Sequence, residues 1–172
     1  DNIFTDVSLT DEYFIQIHHS LSSIQVSRNS FSKFTMIGTS EKNCGGIATF
    51  FQNPSSETSS VFTLVYDHCT FVDIHNERTN GPSSYGGAIQ FGFGNYLSSL
   101  HVTISNCFFN GCKAYKHGGA LAIQTSGNVI IKNCTFENNV ANNKQSTSLN
   151  LLDEKEEGRG GAIYLNPLFT SN

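Results

Sequence analysis

The chain has 172 residues, of which 38% are hydrophobic and 14% charged, and its formal net charge is −4. This length corresponds to one domain or to part of one, and the acidic balance excludes the basic surface that a nucleic-acid partner requires. The 14 Phe and 6 Tyr, against one Met and no Trp, favour strands over helices. No apolar run approaches the roughly 20 residues of a membrane-spanning helix. We therefore expect an all-β chain with no membrane span in this segment.

The first predicted element is a strand at residues 13–17, with the sequence Tyr-Phe-Ile-Gln-Ile. It lies within residues 1–23, where the motifs of the later chain are absent, and it is interpreted as part of an N-terminal coil that has lost its glycines. From residue 24 onward, two motifs alternate strictly along the chain. Such a regular recurrence indicates a repeat architecture.

The first motif is an alternating strand that ends in a Cys/Asn-x-Phe step, and it occurs at residues 24–31, 64–71, 102–109 and 129–136. The second motif is a glycine pair followed by alternating apolar residues, and it begins at Gly45-Gly46, Gly86-Gly87, Gly118-Gly119 and Gly160-Gly161. The shortest repeat, 27 residues from Cys107 to Cys134, has room for two or three short strands but for no ordinary helix. The repeat is therefore predicted to consist of strands.

Within both motifs a period of two places the apolar residues on one face of each strand. One coil cannot bury that face alone, so successive coils must stack. The sequence predicts a right-handed parallel β-helix, or β-solenoid, of about four coils that is a fragment of a longer solenoid. Residues 1–172 form one such segment, with projecting loops at about residues 52–60, 75–85 and 142–159 that are rich in Ser, Asn, Thr, Gly and charge.

Repeated positions are predicted to hold the coils together. The glycine pairs mark corners where φ is positive or the backbone approaches closely. Asn106 and Asn133 mark another corner, because Asn tolerates the left-handed conformation; the equivalent residues Arg28 and His68 depart from this pattern. After this corner come an interior cysteine ladder and, two residues later, a phenylalanine ladder. Their members are Cys69, Cys107 and Cys134, and Phe71, Phe109 and Phe136.

Gly-Gly-Ala-Ile alternating with Phe-x-x-Asn, the latter at residues 136–139, resembles the repeats of chlamydial polymorphic membrane proteins and of related β-helical surface proteins of bacteria and some protists. The resemblance extends from about residue 24 to the end of the chain. Only one Phe-x-x-Asn is intact, because the equivalent stretches end at Phe34, Ile74 and Cys112. The resemblance implies a secreted or cell-surface passenger, similar to adhesins and autotransporter passengers, anchored through a part of the chain not present here. It implies no active site.

The five cysteines are Cys44, Cys69, Cys107, Cys112 and Cys134. They contain no Cys-x-x-Cys spacing, so we expect no metal site. The favoured interpretation of the cysteine ladder is a stack of buried thiols that act as small hydrophobic groups. A disulfide between neighbouring coils and one between Cys107 and Cys112 remain open alternatives.

An enzyme is considered because parallel β-helices also include polysaccharide lyases and hydrolases. Those reactions need two or three neighbouring carboxylates. The six histidines are scattered along the chain, and the outward positions of the predicted strands contain one Asp in total. These outward positions form two ladders, Ser27, Asp67, Ser105 and Lys132, and Thr49, Gln90, Ala122 and Tyr164. We therefore expect no catalytic residue, no cofactor and no metal.

These observations predict a non-enzymatic adhesin-like module of the cell surface. Its expected partner is a protein or glycan on a host or neighbouring cell, contacted through the loops and one strand face. One alternative is a polysaccharide-active, pectate-lyase-like β-helix with catalytic carboxylates outside this segment, and another is a purely structural spacer with no ligand.

Overall fold

The computed structural model describes residues 2–10, 14–18, 23–37, 47–51, 62–77, 85–91, 100–125, 127–141 and 160–167. These residues contain sixteen strands and no helix, so the all-β prediction is confirmed. In chain order the strands are β1 (Asn2–Thr10), β2 (Ile15–His18), β3 (Ser23–Ser27), β4 (Asn29–Ile37), β5 (Ala48–Phe51), β6 (Phe62–Asp67), β7 (Thr70–Asn76), β8 (Ile89–Phe91), β9 (Leu100–Ser105), β10 (Phe108–Asn110), β11 (Lys113–Ala114), β12 (Leu121–Thr125), β13 (Val129–Lys132), β14 (Thr135–Glu137), β15 (Val140–Ala141) and β16 (Ile163–Pro167). Cys44, Gly45, Gly46 and most of the three predicted loops lie outside the described residues.

The strands form three sheets, and every strand pair within them is parallel. Sheet 1 has the order β1-β4-β7-β10-β14, with β11 and β15 continuing its last two rows; sheet 2 has the order β16-β12-β8-β5-β2, and sheet 3 the order β13-β9-β6-β3. The chain visits sheets 1, 2 and 3 in turn and then returns to sheet 1 beside the strand it left. We call one such passage a coil. This cyclic order is consistent with the predicted parallel β-helix.

The strands of neighbouring coils stay aligned although the coils contain different numbers of residues. Asn2 lies opposite Asn29, an offset of 27 residues, whereas Ser30 lies opposite Thr70, an offset of 40. The extra residues of the longer coil are therefore accommodated between strands, while the strands stay aligned. Motif spacing in the sequence varies for this reason, and motif content does not.

The N-terminal region is part of the same stack. Strand β1, which has neither of the sequence motifs, pairs with β4 over its length, and β2 pairs with β5. Phe4 stacks on Phe31, with ring centroids 5.3 Å apart, and Phe14 packs edge-on against Phe34 at 4.9 Å. Aromatic contacts thus attach β1 and Phe14 to the core.

The core of sheet 1 is a column of five phenylalanine rings, one from each coil. The rings of Phe31 and Phe71, Phe71 and Phe109, and Phe109 and Phe136 are 4.8–5.1 Å apart and within 11° of parallel. This separation equals the spacing of neighbouring strands, about 4.8 Å, so identical rings stack wherever the register is kept. The column comprises Phe4, Phe31, Phe71, Phe109 and Phe136.

Each row of sheet 1 bends at one left-handed residue. Asp6, Lys33, Asp73, Gly111 and Asn138 occupy this position, with φ between 54° and 67°. Because the bend resets the alternation of side chains, the residues three apart at Phe31 and Phe34 both point into the core, where each is at most 1% exposed. The Phe-x-x motif therefore marks two inward residues on either side of a bend.

The glycine corners precede the strands of sheet 2. Gly118 has φ of 63°, and a Cβ on Gly119 would overlap the carbonyl oxygen of Gly161 in the next coil. The first glycine is thus required by its backbone conformation and the second by close approach between coils. Gly86 and Gly160 share the positive φ, and Gly87 shares the crowding against the next coil.

Candidate binding surface beside the left-handed corner

A second row of left-handed residues separates sheet 3 from sheet 1. We call it the corner ladder, and it consists of Arg28, His68, Asn106 and Asn133, with φ of 55°, 52°, 53° and 51°. All four residues are exposed. Arg28 and His68 therefore share the conformation of the two asparagines, although side chains larger than Asn seldom adopt it.

Backbone hydrogen bonds hold this ladder in place between coils. The backbone N–H of Arg28 donates to the carbonyl of Asp67 at 3.0 Å, and that of His68 donates to the carbonyl of Ser105 at 3.1 Å. The N–H of Asn106 continues the series to Lys132 at 3.1 Å. These three corner residues are thus each fixed by the strand end of the following coil, which keeps the side chains in one row.

Asp67, at the end of β6, is the centre of a hydrogen-bond network. Its carboxylate accepts from the Ser105 hydroxyl at 2.7 Å and from the Asn106 amide at 2.9 Å, and it pairs with Nδ1 of His68 at 2.8 Å. The hydrogen bonds from Ser105, His68 and Asn106 hold the pKa of Asp67 well below its usual range. The carboxylate is therefore ionised at neutral pH and fixes the His68 ring.

This network does not have the geometry of a hydrolytic site. The Ser105 hydroxyl donates to the carboxylate and not to the imidazole, so His68 is not placed to activate it as a base would. The network contains one carboxylate, where glycoside hydrolysis uses two. Among the residues that the structure describes, no group of three His, Cys, Asp or Glu side chains is arranged to hold a metal ion.

An open groove of about 350 Å³ lies beside the first two members of the corner ladder. It adjoins the outer face of sheet 1, where Ile3, Ser30 and Thr70 follow one another in successive coils. We call this row, continued by Phe108 and Thr135, the outer ladder. The groove is lined by Asn2, Ile3, Arg28, Asn29, Ser30, His68 and Thr70. It therefore brings a guanidinium, an imidazole, amides and hydroxyls together on a strand face.

The predicted cysteine ladder lies on the inner side of the same corner. Cys69 and Cys107 are buried and Cys134 is partly buried, and with Cys112 all the described cysteines are free thiols. The backbone N–H of Cys69 donates to Sγ of Cys107 at 3.4 Å. Burial raises the pKa of Cys112 to about 12, and the hydrogen bond with Cys69, together with burial, raises that of Cys107 above its usual range. Cys107 and Cys112 therefore stay protonated at neutral pH, whereas the hydrogen bond with Cys107 lowers the pKa of Cys69 to about 7.

The intact Phe-x-x-Asn motif bonds to the neighbouring coil. The Asn139 amide donates to the carbonyl of Phe109 at 3.1 Å and accepts from the backbone N–H of Cys112 at 3.0 Å. Beside it, the Asn138 amide donates to the Asn110 side chain at 3.0 Å. Asn139 thus satisfies backbone groups that a hydrophobic residue would leave to other partners. The sequence analysis did not identify this role of Asn139, although the Phe-x-x-Asn motif indicates the position.

Two positions predicted to face outward on sheet 2 are buried. Gln90 is 1% and Ala122 0% exposed, and residues next to the glycine pairs lie close to this row. The Cβ of Gln90 lies beside Gly86, and the ring of His117 lies 4.7 Å from that of Tyr164. Both residues alternate with the inward side chains of their strands, as predicted, but this face is covered at these two levels and is not open to solvent.

Residues 133–166 contain one copy of each motif, from Asn133 at the corner through Phe136 to the glycine pair and β16. They match the family model of the Chlamydia polymorphic membrane protein (Chlamydia_PMP) repeat. The match confirms the resemblance inferred from the motifs. No curated protein and no solved structure matches the chain. In the described part of the chain, no helix has the length and apolar character to cross a membrane.

Proposed function

We propose that this chain is a right-handed parallel β-solenoid segment of a surface protein, and that it attaches the cell to a partner without catalysing a reaction. The observation that carries the proposal is the match of residues 133–166 to the polymorphic membrane protein repeat. The matched repeat comes from a membrane protein family, which supports a location at the cell surface. We infer that the anchor lies in another part of the parent protein.

The surface of the stack supports attachment. The corner ladder and the outer ladder form a strand face on which side chains repeat from coil to coil at about 4.8 Å. The long connections near residues 52–60 and 142–159 join strands that stay in register, so the sequence of such connections varies without disturbing the core. A partner protein or glycan would contact both kinds of surface.

A non-enzymatic role agrees with the chemistry of the described carboxylates. Asp67 is the acidic residue among the predicted outward positions, and three donors occupy its carboxylate. A general acid or base needs a carboxyl group free to exchange a proton near neutral pH. Asp67 does not meet this requirement, because its pKa is lowered and its carboxylate stays ionised near neutral pH.

The proposal is tested by presenting the purified 172-residue chain to a panel of immobilised polysaccharides and to host-type cells. Retention and polysaccharide chain length are measured together. Saturable retention without shortening of the polysaccharide is the expected result, and heat-unfolded chain is the control. Shortened polysaccharide, abolished by Asp67→Asn, would contradict the non-enzymatic role. Absence of retention on every surface would contradict attachment.

A further inference from the structure

We propose that the groove beside Arg28 and His68 binds an acidic group, a carboxylate or a sulfate, of an extended polysaccharide. This inference rests on the proposed attachment function and names its ligand class. It starts from the side chain at the first position of the corner ladder.

Arg28 occupies a backbone position that does not suit it. Its φ is 55°, and the asparagines at the equivalent positions of later coils, Asn106 and Asn133, show which residue the fold accommodates best. Arg28 therefore places a long cationic side chain at an exposed corner where later coils have Asn, beside the groove.

The Arg28 guanidinium is also available to a ligand. Within the described part of the chain it takes part in no ion pair, whereas Lys33 is paired with Asp6 at 3.5 Å. The carboxylate of Asp67, whose backbone carbonyl accepts from the N–H of Arg28, is occupied by Ser105, Asn106 and His68. The guanidinium presents parallel N–H donors that match the two oxygens of a carboxylate or sulfate.

The rest of the groove fits a sugar better than an acidic peptide. Ser30 and Thr70 contribute hydroxyls and Asn29 an amide, which are groups that exchange hydrogen bonds with sugar hydroxyls. Ile3 is 79% exposed, and it offers an apolar contact for the C–H face of a sugar ring. The groove lining contains no unpaired cationic side chain besides Arg28. A peptide with many acidic side chains would therefore pair one of them with Arg28 and leave the others without a cationic partner.

The direction of the ladders explains why the ligand is extended. The outer ladder runs from Ile3 through Ser30 and Thr70 to Phe108, one residue per coil. Phe108 is half-buried on this outward row and provides an aromatic surface two coils away from Ser30. A polysaccharide lying along this row contacts Arg28 with its acidic group and Phe108 with a neighbouring ring.

The test compares Arg28→Asn with Lys33→Asn in the 172-residue chain. Both positions are exposed and left-handed, with φ of 55° and 54°, so each variant removes one positive charge while Asn preserves the backbone. Retention is measured on dextran sulfate, polygalacturonate, neutral dextran, polyglutamate and host-type cells. We expect wild-type chain to be retained on the sulfated or the uronic polysaccharide, and Arg28→Asn to weaken that retention at least tenfold. Lys33→Asn should change it less than twofold.

Several results would overturn the inference. Equal effects of the two substitutions would do so, as would retention on polyglutamate as strong as on the acidic polysaccharides, which would indicate an acidic protein partner. Retention on cells or on neutral dextran alone would overturn the groove assignment while leaving attachment intact. Absence of retention on every surface, cells included, would overturn both. Arg28→Gly, which also takes the left-handed conformation, provides a second variant whose folding is checked by thermal unfolding.

Discussion

At the scale of single residues, polar side chains stabilise the corners and apolar ones fill the interior. Asp67 joins two coils because its partners Ser105 and Asn106 lie 38 and 39 residues further along the chain. Asn133 continues the row by donating to Asn106 at 3.4 Å. Tyr66, one residue before Asp67, is instead fully buried, and its hydroxyl has no hydrogen-bond partner among the described residues. Removing the polar group of Asp67 and removing that of Tyr66 are therefore expected to change stability in opposite directions.

The Asp67 network makes stability depend on pH. Because the pKa of Asp67 is lowered in the folded chain, its contribution is present above the unfolded-state value of about 3.9 and is lost as the pH falls below it. We expect Asp67→Asn to be less stable than wild type at pH 7, and the difference to shrink by pH 2. Urea unfolding of both proteins across this range measures it. A constant difference at all pH values would show that the carboxylate charge is irrelevant.

Removal of the buried Tyr66 hydroxyl is expected to have the opposite effect on stability. Burial raises the pKa of Tyr66 above its usual range, and a buried hydroxyl without a partner costs free energy. Tyr66→Phe should therefore raise the free energy of unfolding by about 1 kcal/mol. Urea unfolding at neutral pH is the measurement, and Tyr66→Leu, which loses ring contacts with Phe71 and Phe91, is the destabilised control. A less stable Tyr66→Phe would indicate that the hydroxyl has a favourable partner.

At the scale of the elements, short strands are joined by positions where the chain must bend. Sheet 1 bends within its rows, and sheet 2 is entered through glycine pairs. In both cases the next coil lies directly beside the bend. The second glycine of a pair is therefore sensitive to what lies in the following coil, and the glycine pairs of successive coils are not equivalent.

Two glycines at equivalent positions test this sensitivity. A Cβ on Gly119 would overlap the Gly161 carbonyl and come within 2.6 Å of the Val140 backbone, whereas a Cβ on Gly161 would find Asn139 at 4.0 Å as its nearest described neighbour. We expect Gly119→Ala to lower the free energy of unfolding by about 3 kcal/mol or more. Gly161→Ala should change it by less than about 1 kcal/mol. Similar losses in both variants would mean that coil spacing does not limit the second glycine.

At the scale of the whole molecule, stability is a property of neighbouring coils. Each coil buries its apolar face only against the coils beside it, as in other repeat proteins. The outermost row of sheet 2 shows the consequence, because Leu165 on β16 is 50% exposed, whereas its counterpart one coil earlier, Ile123, is 1% exposed. The middle of the stack should therefore be its most stable part.

Amide hydrogen exchange measures this gradient. Strands β7, β9 and β12 have a hydrogen-bonded neighbour on both sides, whereas β1 and β13 have one in the described structure. We expect the slowest exchange in the first group and the fastest in the second. Uniform exchange rates across all five strands would contradict a stack of locally stabilised coils and would favour one global unfolding unit.

The class of the fold and most of its interior follow from local patterns in the sequence. Alternation of side chains along a strand is a local property, so the inward positions of Val102, Ile104 and Phe109 followed from parity and are buried in the structure. The repeated motifs placed Arg28 and His68 at a corner with two asparagines, and marked them as exceptions. The resemblance to polymorphic membrane protein repeats also came from these motifs.

Contacts between residues of different coils, in contrast, are evident from the three-dimensional structure and not from the sequence. Strand β1 has no motif, and its pairing with β4 follows from packing of Phe4 on Phe31. The bend inside sheet 1, the bonds of Asn139 and the groove beside Arg28 likewise depend on alignment between coils. That alignment is set by stacking across connections of unequal length, which the period of side chains within one strand does not encode.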